Sequence, residues 1–368
     1  LPEWCWRNKK KGFAAEGTEK KQRFFTLRSW CSLRLYIFEV MKSFILFLIC
    51  TVCLLAMVVV ISGTTTQKPP QRAMAITIDD LPEAPPGVHN LKTVEAINRK
   101  LVRKITSAKV PAIGFVNEGK LYNNNGKEVA DRTALLKLWL DAGLELGNHS
   151  YSHPDLFTMP LEQFKADVLR GEQVTRRLLA AKGMKPRYFR YPFLHTGPNL
   201  ETKQAFEKFL GEHGYKVAPV TVDNNEYIFA AVYADAMQKN ESAAMKRIGA
   251  AYVPYMEKML ELYEKHSVSL FGRDIKQTLL LHGNALNADY FDELVEMMKR
   301  RGYRFVSLED ALTDEAYRSA DTYAGRAGLS WLQRWAITRN HQPTKELFKL
   351  EPEVTEFVRK AYEQRNAR

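Results

Sequence analysis

Cysteine is scarce and badly distributed in this 368-residue chain: Cys5, Cys31, Cys50 and Cys53 are its four, and none follows Cys53. That excludes a disulfide framework for the long remainder and a thiolate metal site within it. Any metal there must be held by histidine and carboxylate. Internal repeats and low-complexity tracts are also missing, which argues against a solenoid or a fibrous chain. The cationic excess is thin where it would matter. Of 54 Lys/Arg and 42 Asp/Glu, 11 and 4 precede Gln71, so about +7 of the +12 net charge sits there and only about +5 on the rest. A mildly basic body of this kind does not read as a nucleic-acid binder.

Uncharged apolar runs are rare too, with one exception. Phe44 to Ser62 reads FILFLICTVCLLAMVVVIS, just long enough to span a bilayer. Met41-Lys42 precedes it and Gly63-Thr64-Thr65 follows, the pattern of a signal peptide or an uncleaved anchor. A buried core helix is the competing reading, and the polar, proline-containing stretch from Thr64 to Arg72 weighs against it. No small residue of the lipidation type stands immediately before Cys50 or Cys53. Residues 1–40, with Lys9-Lys10-Lys11 and Lys20-Lys21, read as an untranslated upstream stretch or as a cytoplasmic tail whose charge keeps it inside. Residues 41–63 are then the signal or anchor and 64–73 a linker, with the body outside the cytoplasm: secreted, periplasmic or membrane-anchored.

What the chain has from Met74 onward is an alternation of short apolar runs and amphipathic stretches. Strands are expected at 74–78, 112–116, 144–147, 188–190, 217–222, 278–281 and 304–307. Helices are expected at 91–108, 132–142, 161–182, 203–212 and 288–301, with Gly143, Gly183, Gly214 and Gly302 at their ends. Such alternation predicts a parallel sheet or barrel. A long helical stretch over 230–266 interrupts the rhythm. Its Tyr233, Tyr252, Tyr255 and Tyr263 read better as a packing face than as a substrate wall. Trp331 and Trp335, four apart, read as the packing face of a C-terminal helix.

The chemistry-bearing residues fall at the carboxyl ends of the expected strands, where parallel α/β folds put their sites. Asp79 and Asp80 follow the first strand; His149 and His153 follow the third. Arg190 ends the fourth, Asp223 follows the fifth, and His282 follows the sixth. The i, i+4 spacing of His149 and His153 is expected to put both imidazoles on one face of a helical turn, able to grip one ion. A carboxylate third ligand would leave open positions, as a catalytic site requires. Each pair alone is weak: H-x-x-x-H is more often two surface or capping histidines, and adjacent acidic residues more often cap a helix. His89, His195, His213, His266 and His341 lack ligand spacing and read as surface or locally bonded, with His195 nearest the cleft.

The order of the motifs changes the weighing. TIDD (Thr77 to Asp80), HSYSH (His149 to His153), RYPF (Arg190 to Phe193), DNNEY (Asp223 to Tyr227) and LLHGN (Leu280 to Asn284) stand in sequence. The chain over about Met74 to Leu312 thereby resembles the polysaccharide deacetylase family, the NodB-homology domain of carbohydrate esterase family four. The first three motifs are the specific ones; the last two match more loosely. The resemblance implies a distorted (β/α) barrel over residues 74–313, with a helical C-terminal extension over 314–368. It implies a divalent metal, zinc foremost with cobalt or manganese as alternatives, on Asp80, His149 and His153. It makes Asp79 the general base, oriented by Arg190, and His282 the general acid. The partner of His282 is left between Glu226 and Asp223, since Glu226 stands where the family usually has the shorter Asp. Backbone near Tyr191 would face the oxyanion, and Tyr191, Phe193 and Tyr227 would line the substrate. The implied activity is removal of N-acetyl groups from an N-acetylglucosamine-containing polysaccharide such as peptidoglycan or a chitin-like chain. An O-acetyl esterase on a polymer such as xylan and a non-catalytic glycan-binding relic are the rivals. Polysaccharide, and a membrane if the N-terminal segment is uncleaved, are the expected partners.

Overall fold

The computed structural model describes residues 72–84 and 90–367; the expectations for Phe44–Ser62, for the tail, for 64–71 of the linker and for His89 lie outside them, while Arg72 and Ala73, expected in the linker, already belong to the first strand. Residues from Pro69 onward belong to one compact unit. Its elements in chain order are β1 (Arg72–Leu81), α1 (Leu91–Ser107), β2 (Ile113–Val116), α2 (Ala130–Asp141), β3 (Glu145–Asn148), α3 (Leu161–Arg170) and α4 (Gln173–Ala180). Then come β4 (Tyr188–Phe189), α5 (Leu200–Glu212), β5 (Lys216–Val217), α6 (Glu226–Gln238), α7 (Ser242–Phe271), β6 (Gln277–His282), α8 (Ala285–Arg300) and β7 (Tyr303–Phe305). Four short helices close the chain: α9 (Leu308–Ala311), α10 (Trp331–Thr338), α11 (Gln342–Leu347) and α12 (Glu356–Asn366).

The central strands β1, β2 and β6 are almost wholly buried, with apolar residues such as Ile76, Ile78, Phe115, Leu279 and Leu281 at their middles, as a covered parallel sheet demands. The strand order is β5-β4-β3-β2-β1-β6, all parallel, with β7 paired to the first residues of β1. The sheet curls far enough for the chain after β5 to meet β6. Val222 donates to the Thr278 carbonyl at 2.9 Å, and Leu280 donates to the Val222 carbonyl at 3.2 Å. The result is the expected distorted (β/α) barrel, with the C-terminal helices as an extension. Helix α1 shows how the sequence builds the outer layer. Asn90 caps it by accepting from the Thr93 amide at 3.0 Å, and Val94, Ile97, Leu101 and Ile105 form its buried stripe.

Four expectations need correction. The helix expected over 161–182 is two, broken at Gly171. A Cβ there would stand 2.4 Å from the Ser150 carbonyl carbon, so the chain turns where backbone meets backbone. The strand expected over 217–222 survives only as β5 and the bridge at Val222, because Pro219 has no N–H for a ladder. The long helix over 230–266 is the pair α6 and α7, parted at the left-handed Asn240, and it starts earlier, at Glu226. The four tyrosines named above are buried in it, so the packing reading holds. His266 is fully buried between Tyr263 and Phe348 rather than on the surface, and burial pulls its pKa down to about 4. Trp331 and Trp335 are buried as expected. Among the described residues no helix is long and apolar enough to cross a membrane.

Candidate metal centre and acid–base pair

Six polar side chains meet where the strands end. Asp79 and Asp80 close β1, and a break in the β1–β2 register between Ile78 and Leu81 separates their directions. Asp80 sits at φ 70°, a left-handed conformation that a non-glycine residue adopts only under local constraint. The constraint is visible: Asn117 donates its amide to the Leu81 carbonyl at 3.1 Å, and Lys120 Nζ lies 3.2 Å from both the Asp80 carbonyl and its Oδ1.

His149 and His153 do not lie on a helical turn, as their spacing led us to expect. They belong to a loop after β3 in which Ser150 (φ 69°) and His153 (φ 56°) are both left-handed. Side-chain acceptors outcompete the helix here. Asn148 Oδ1 accepts the Ser150 amide at 2.7 Å, and Ser150 Oγ accepts the His153 amide at 3.0 Å. Asp167 of α3 accepts the amides of Tyr151 and Ser152 at 2.9 and 3.1 Å. The close approach of Gly171 seats the loop on α3. His149 Nδ1 is 2.8 Å from the Arg190 carbonyl, which leaves Nε2 free to face the site.

Asp80, His149 and His153 thus bring one ligand atom each to within 4.8 Å of one another. His153 Nε2 is 3.8 Å from Asp80 Oδ1. The protonation states suit a divalent cation. Burial favours the neutral imidazole at His149 and, to a lesser degree, at His153. Burial alone would raise Asp80, but the positive charge facing it, the Lys120 ammonium foremost, outweighs burial and holds that carboxyl well below its usual range. A deprotonated carboxylate and two neutral histidines are the donor set such an ion takes, and two of the three are nearly sealed from water.

Asp79, one residue away, is driven the other way. Its burial raises it to about 6, with Arg190 opposing. Arg190 is wholly buried. It donates Nη1 to both Asp79 oxygens at 3.2–3.3 Å, Nη2 to Thr77 Oγ1 at 3.0 Å and Nε to the Ala218 carbonyl at 2.8 Å, and it lies over Phe115. These anchors fix the guanidinium without help from the carboxylate.

His282 is the register partner of Asp79 across β1 and β6. Its Nδ1 is 2.8 Å from Glu226 Oε2, so the neighbour left open between Glu226 and Asp223 is Glu226. Glu226 stands at the first position of α6 and is wholly buried there. Asn284 and Asn287 both donate to Glu226 Oε1, and Tyr252 of α7 donates to Asn287 Oδ1 at 2.7 Å. Burial would lower His282, but the Glu226 carboxylate overrides it and lifts the imidazole to about 9. Asp223 accepts the Asn224 amide instead and is raised to about 7, by burial first.

The aromatic residues part company. The Tyr191 ring, expected at the substrate, turns into the core. It packs edge-on to Phe189 at 5.3 Å and against Phe206 at 5.4 Å, contacts worth about 0.5–1.5 kcal/mol each, so only its backbone reaches the cleft. Phe193 is 53% exposed and edge-on to His153 at 4.5 Å. Tyr227 is exposed beside Tyr362 of α12. His195 pairs with Asp155 at 2.8 Å near Phe193. Sequence reasoning missed Lys120, Thr77 and Asn287. None lies in a motif with Asp80, Arg190 or Glu226 except Thr77, whose hydroxyl gave no signal of its own.

Residues 66–218 match the sequence profile of the family described as "Polysaccharide deacetylase". A chitin deacetylase of Colletotrichum lindemuthianum is 21% identical over 169 residues, 46% of this chain and 56% of that protein, so the match spans little more than half of the relative's length. The structure of the chitin deacetylase from that fungus aligns over 67% of this chain and 90% of its own, at 20% identity and a TM-score of 0.43. A family 4 carbohydrate esterase from Streptomyces lividans, in complex with acetate, covers 65% of this chain and 95% of its own at 19% identity and a TM-score of 0.41. A CE4 family pseudoenzyme from Bacillus anthracis, BA3943, covers 66% of each chain at 16% identity and a TM-score of 0.40.

Proposed function

We propose, from the membership of residues 66–218 in the polysaccharide deacetylase family, that this protein is a metal-dependent hydrolase removing N-acetyl groups from an N-acetylglucosamine-containing polysaccharide. The observation that carries the reading is the pairing of Asp79 with His282 on neighbouring strand ends beside Asp80, His149 and His153. Asp80, His149 and His153 would hold the divalent cation, with zinc favoured over cobalt or manganese. When bound, such a cation supplies Lewis acidity toward a water molecule and an acyl oxygen.

The chain's own groups divide the proton work. Asp79, with a pKa of about 6, is ionised at neutral pH and takes a proton from the attacking water as its oxygen bonds to the acetyl carbon. Backbone at Tyr191 is the proposed amide donor to the developing oxyanion. An amide nitrogen leaves only when protonated. His282, kept charged by Glu226 up to about pH 9, gives its proton to that nitrogen as the C–N bond breaks, and acetate and the free amine result. Phe193 and Tyr227, both exposed, offer ring faces to the sugars. The apolar run Phe44–Ser62 supports a body that works outside the cytoplasm.

The test is acetate release from chitooligosaccharides, peptidoglycan and acetylated xylan, with and without chelator. Chelator-sensitive release from an N-acetylated glycan is expected. Release from acetylated xylan alone would make the protein an O-acetyl esterase, and release from none of the three would leave a glycan-binding relic.

A further inference from the structure

The C-terminal extension touches the site from behind. Phe193 and Leu194 are consecutive left-handed residues, at φ 55° and 54°, and neither is a glycine. Two such residues in a row persist only where the surroundings over-determine them. The turn they form presents the Phe193 ring to solvent, edge-on to His153. What lies against the other side of this turn comes from far along the chain. A Cβ on Gly328 would stand 2.4 Å from the Phe193 carbonyl oxygen, so backbone abuts backbone there. Arg334, fully buried in α10, donates Nη2 to Thr196 Oγ1 at 3.0 Å and pairs with Asp321 at 2.7 Å. Asp321 in turn takes Lys203 of α5 at 2.7 Å, so both ends of the 193–203 stretch are tied to one carboxylate and its arginine. The Arg334 guanidinium lies over the Trp331 ring, whose residue donates its amide to the Val220 carbonyl at 2.7 Å on the way to Asp223.

We propose that the segment from Asp321 to Arg334 is a positioning element for the site, with Gly328 and Arg334 holding the turn that sets Phe193 over the substrate. The claim that substrate meets this ring rests on the hydrolase reading above; the claim that Gly328 fixes the ring does not. Gly328 and Arg334 are positioning residues, acting only through Phe193.

Gly328→Ala separates the two. The added methyl must displace the Phe193 carbonyl. With 4-fluorophenylalanine at position 193, the 19F resonance is expected to move. KM for a chitooligosaccharide should rise about tenfold while kcat changes less than about twofold, since a displacement near 1 Å away from the reacting atoms costs up to about 100-fold. Zinc affinity should stay unchanged, because the ligand loop hangs on Asn148, Asp167 and Gly171. Gly211→Ala, where a methyl meets open space, is the control and should change nothing. Thr196→Val, which removes the acceptor of Arg334 at constant volume, should move the resonance in the same direction and serves as the second variant if Gly328→Ala fails to fold. An unmoved resonance in both variants, or a moved resonance with wild-type KM in an active enzyme, overturns the proposal. A moved resonance in a protein that releases no acetate from any glycan leaves the positioning role standing and removes the hydrolase reading instead.

Discussion

The two halves of the site are built from different materials. On the Asp80 side, the groups leave strand ends or a loop pinned to them, and their partners are mostly backbone: the carbonyl of Arg190 for His149, the amides of 150–153 for Asn148, Ser150 and Asp167. On the His282 side, a single strand-end imidazole is held by side chains that three helices supply, Glu226 from α6, Asn287 from α8 and Tyr252 from α7. In the first half the side-chain bonds fix backbone, through Asn148, Ser150 and Asp167, whereas in the second they act on the imidazole's own neighbour, Glu226. The first half is therefore the rigid, specified part of the centre, and the second is the part where proton affinity can be tuned.

The sharpest way to break this comparison is Asp79→Asn. Turnover should fall on the order of 100- to 10,000-fold, as loss of a general base does, while bound metal is unchanged, because Arg190 keeps its other anchors. Measuring acetate and metal content together decides it; loss of metal would mean the two aspartates have each other's tasks. His149→Ala or Asp80→Asn should instead weaken metal binding, and turnover should fall with it until excess zinc is added. Second-shell changes cost about 10–100-fold in metal affinity, so losing a ligand should cost at least about 100-fold, read by chelator competition.

On the other half, the expected effect is a shift rather than a loss. With Glu226 in place, His282 keeps its proton up to about pH 9. Glu226→Gln removes the charge that raises it, so the alkaline limb of kcat/KM should move down toward the ordinary imidazole value of about 6.5. An unmoved limb would show that another group, with Asp223 the first candidate, governs the acid. The smallest effect is expected from Tyr252→Phe, two hydrogen bonds from His282. It should cost about 1–3 kcal/mol in denaturant unfolding and leave the pH limb nearly in place, because it unpairs Asn287 Oδ1 without touching a charge.

What was legible in the sequence was which residues meet; how each is held was not. Asp79, Asp80, His149, His153, Arg190 and His282 each stand at a strand end, and apolar runs of period two or continuous burial mark strand ends well. The fold class was readable for the same reason. The loop conformation of 149–153 was not, because Ser150 and Asp167 decide it and an i, i+4 spacing says nothing about either. Nor was the direction of the Tyr191 ring. A single aromatic in RYPF points to core or cleft according to whether Phe189 and Phe206 are there to receive it. Glu226 could be read only once α6 was known to begin at that residue, because the reach of the longer side chain depends on where its backbone stands.

The meeting of Val222 with β6 has a mechanical side. The barrel's wall between β1 and β6 is a ladder of six register pairs from Met74 to Asp79, while the join on the far flank of β6 is three backbone hydrogen bonds beside Pro219, with the Thr221 and Thr278 hydroxyls and the Asn224 side-chain amide bridging next to them. That join is the seam of the cylinder. It is the shorter of the two joins, and the chain that leaves it carries Asp223 and, at the start of α6, the Glu226 that bonds His282. The two neighbours of His282 are therefore held differently, Asp79 by a continuous strand ladder and Glu226 by hydrogen bonds to its carboxylate.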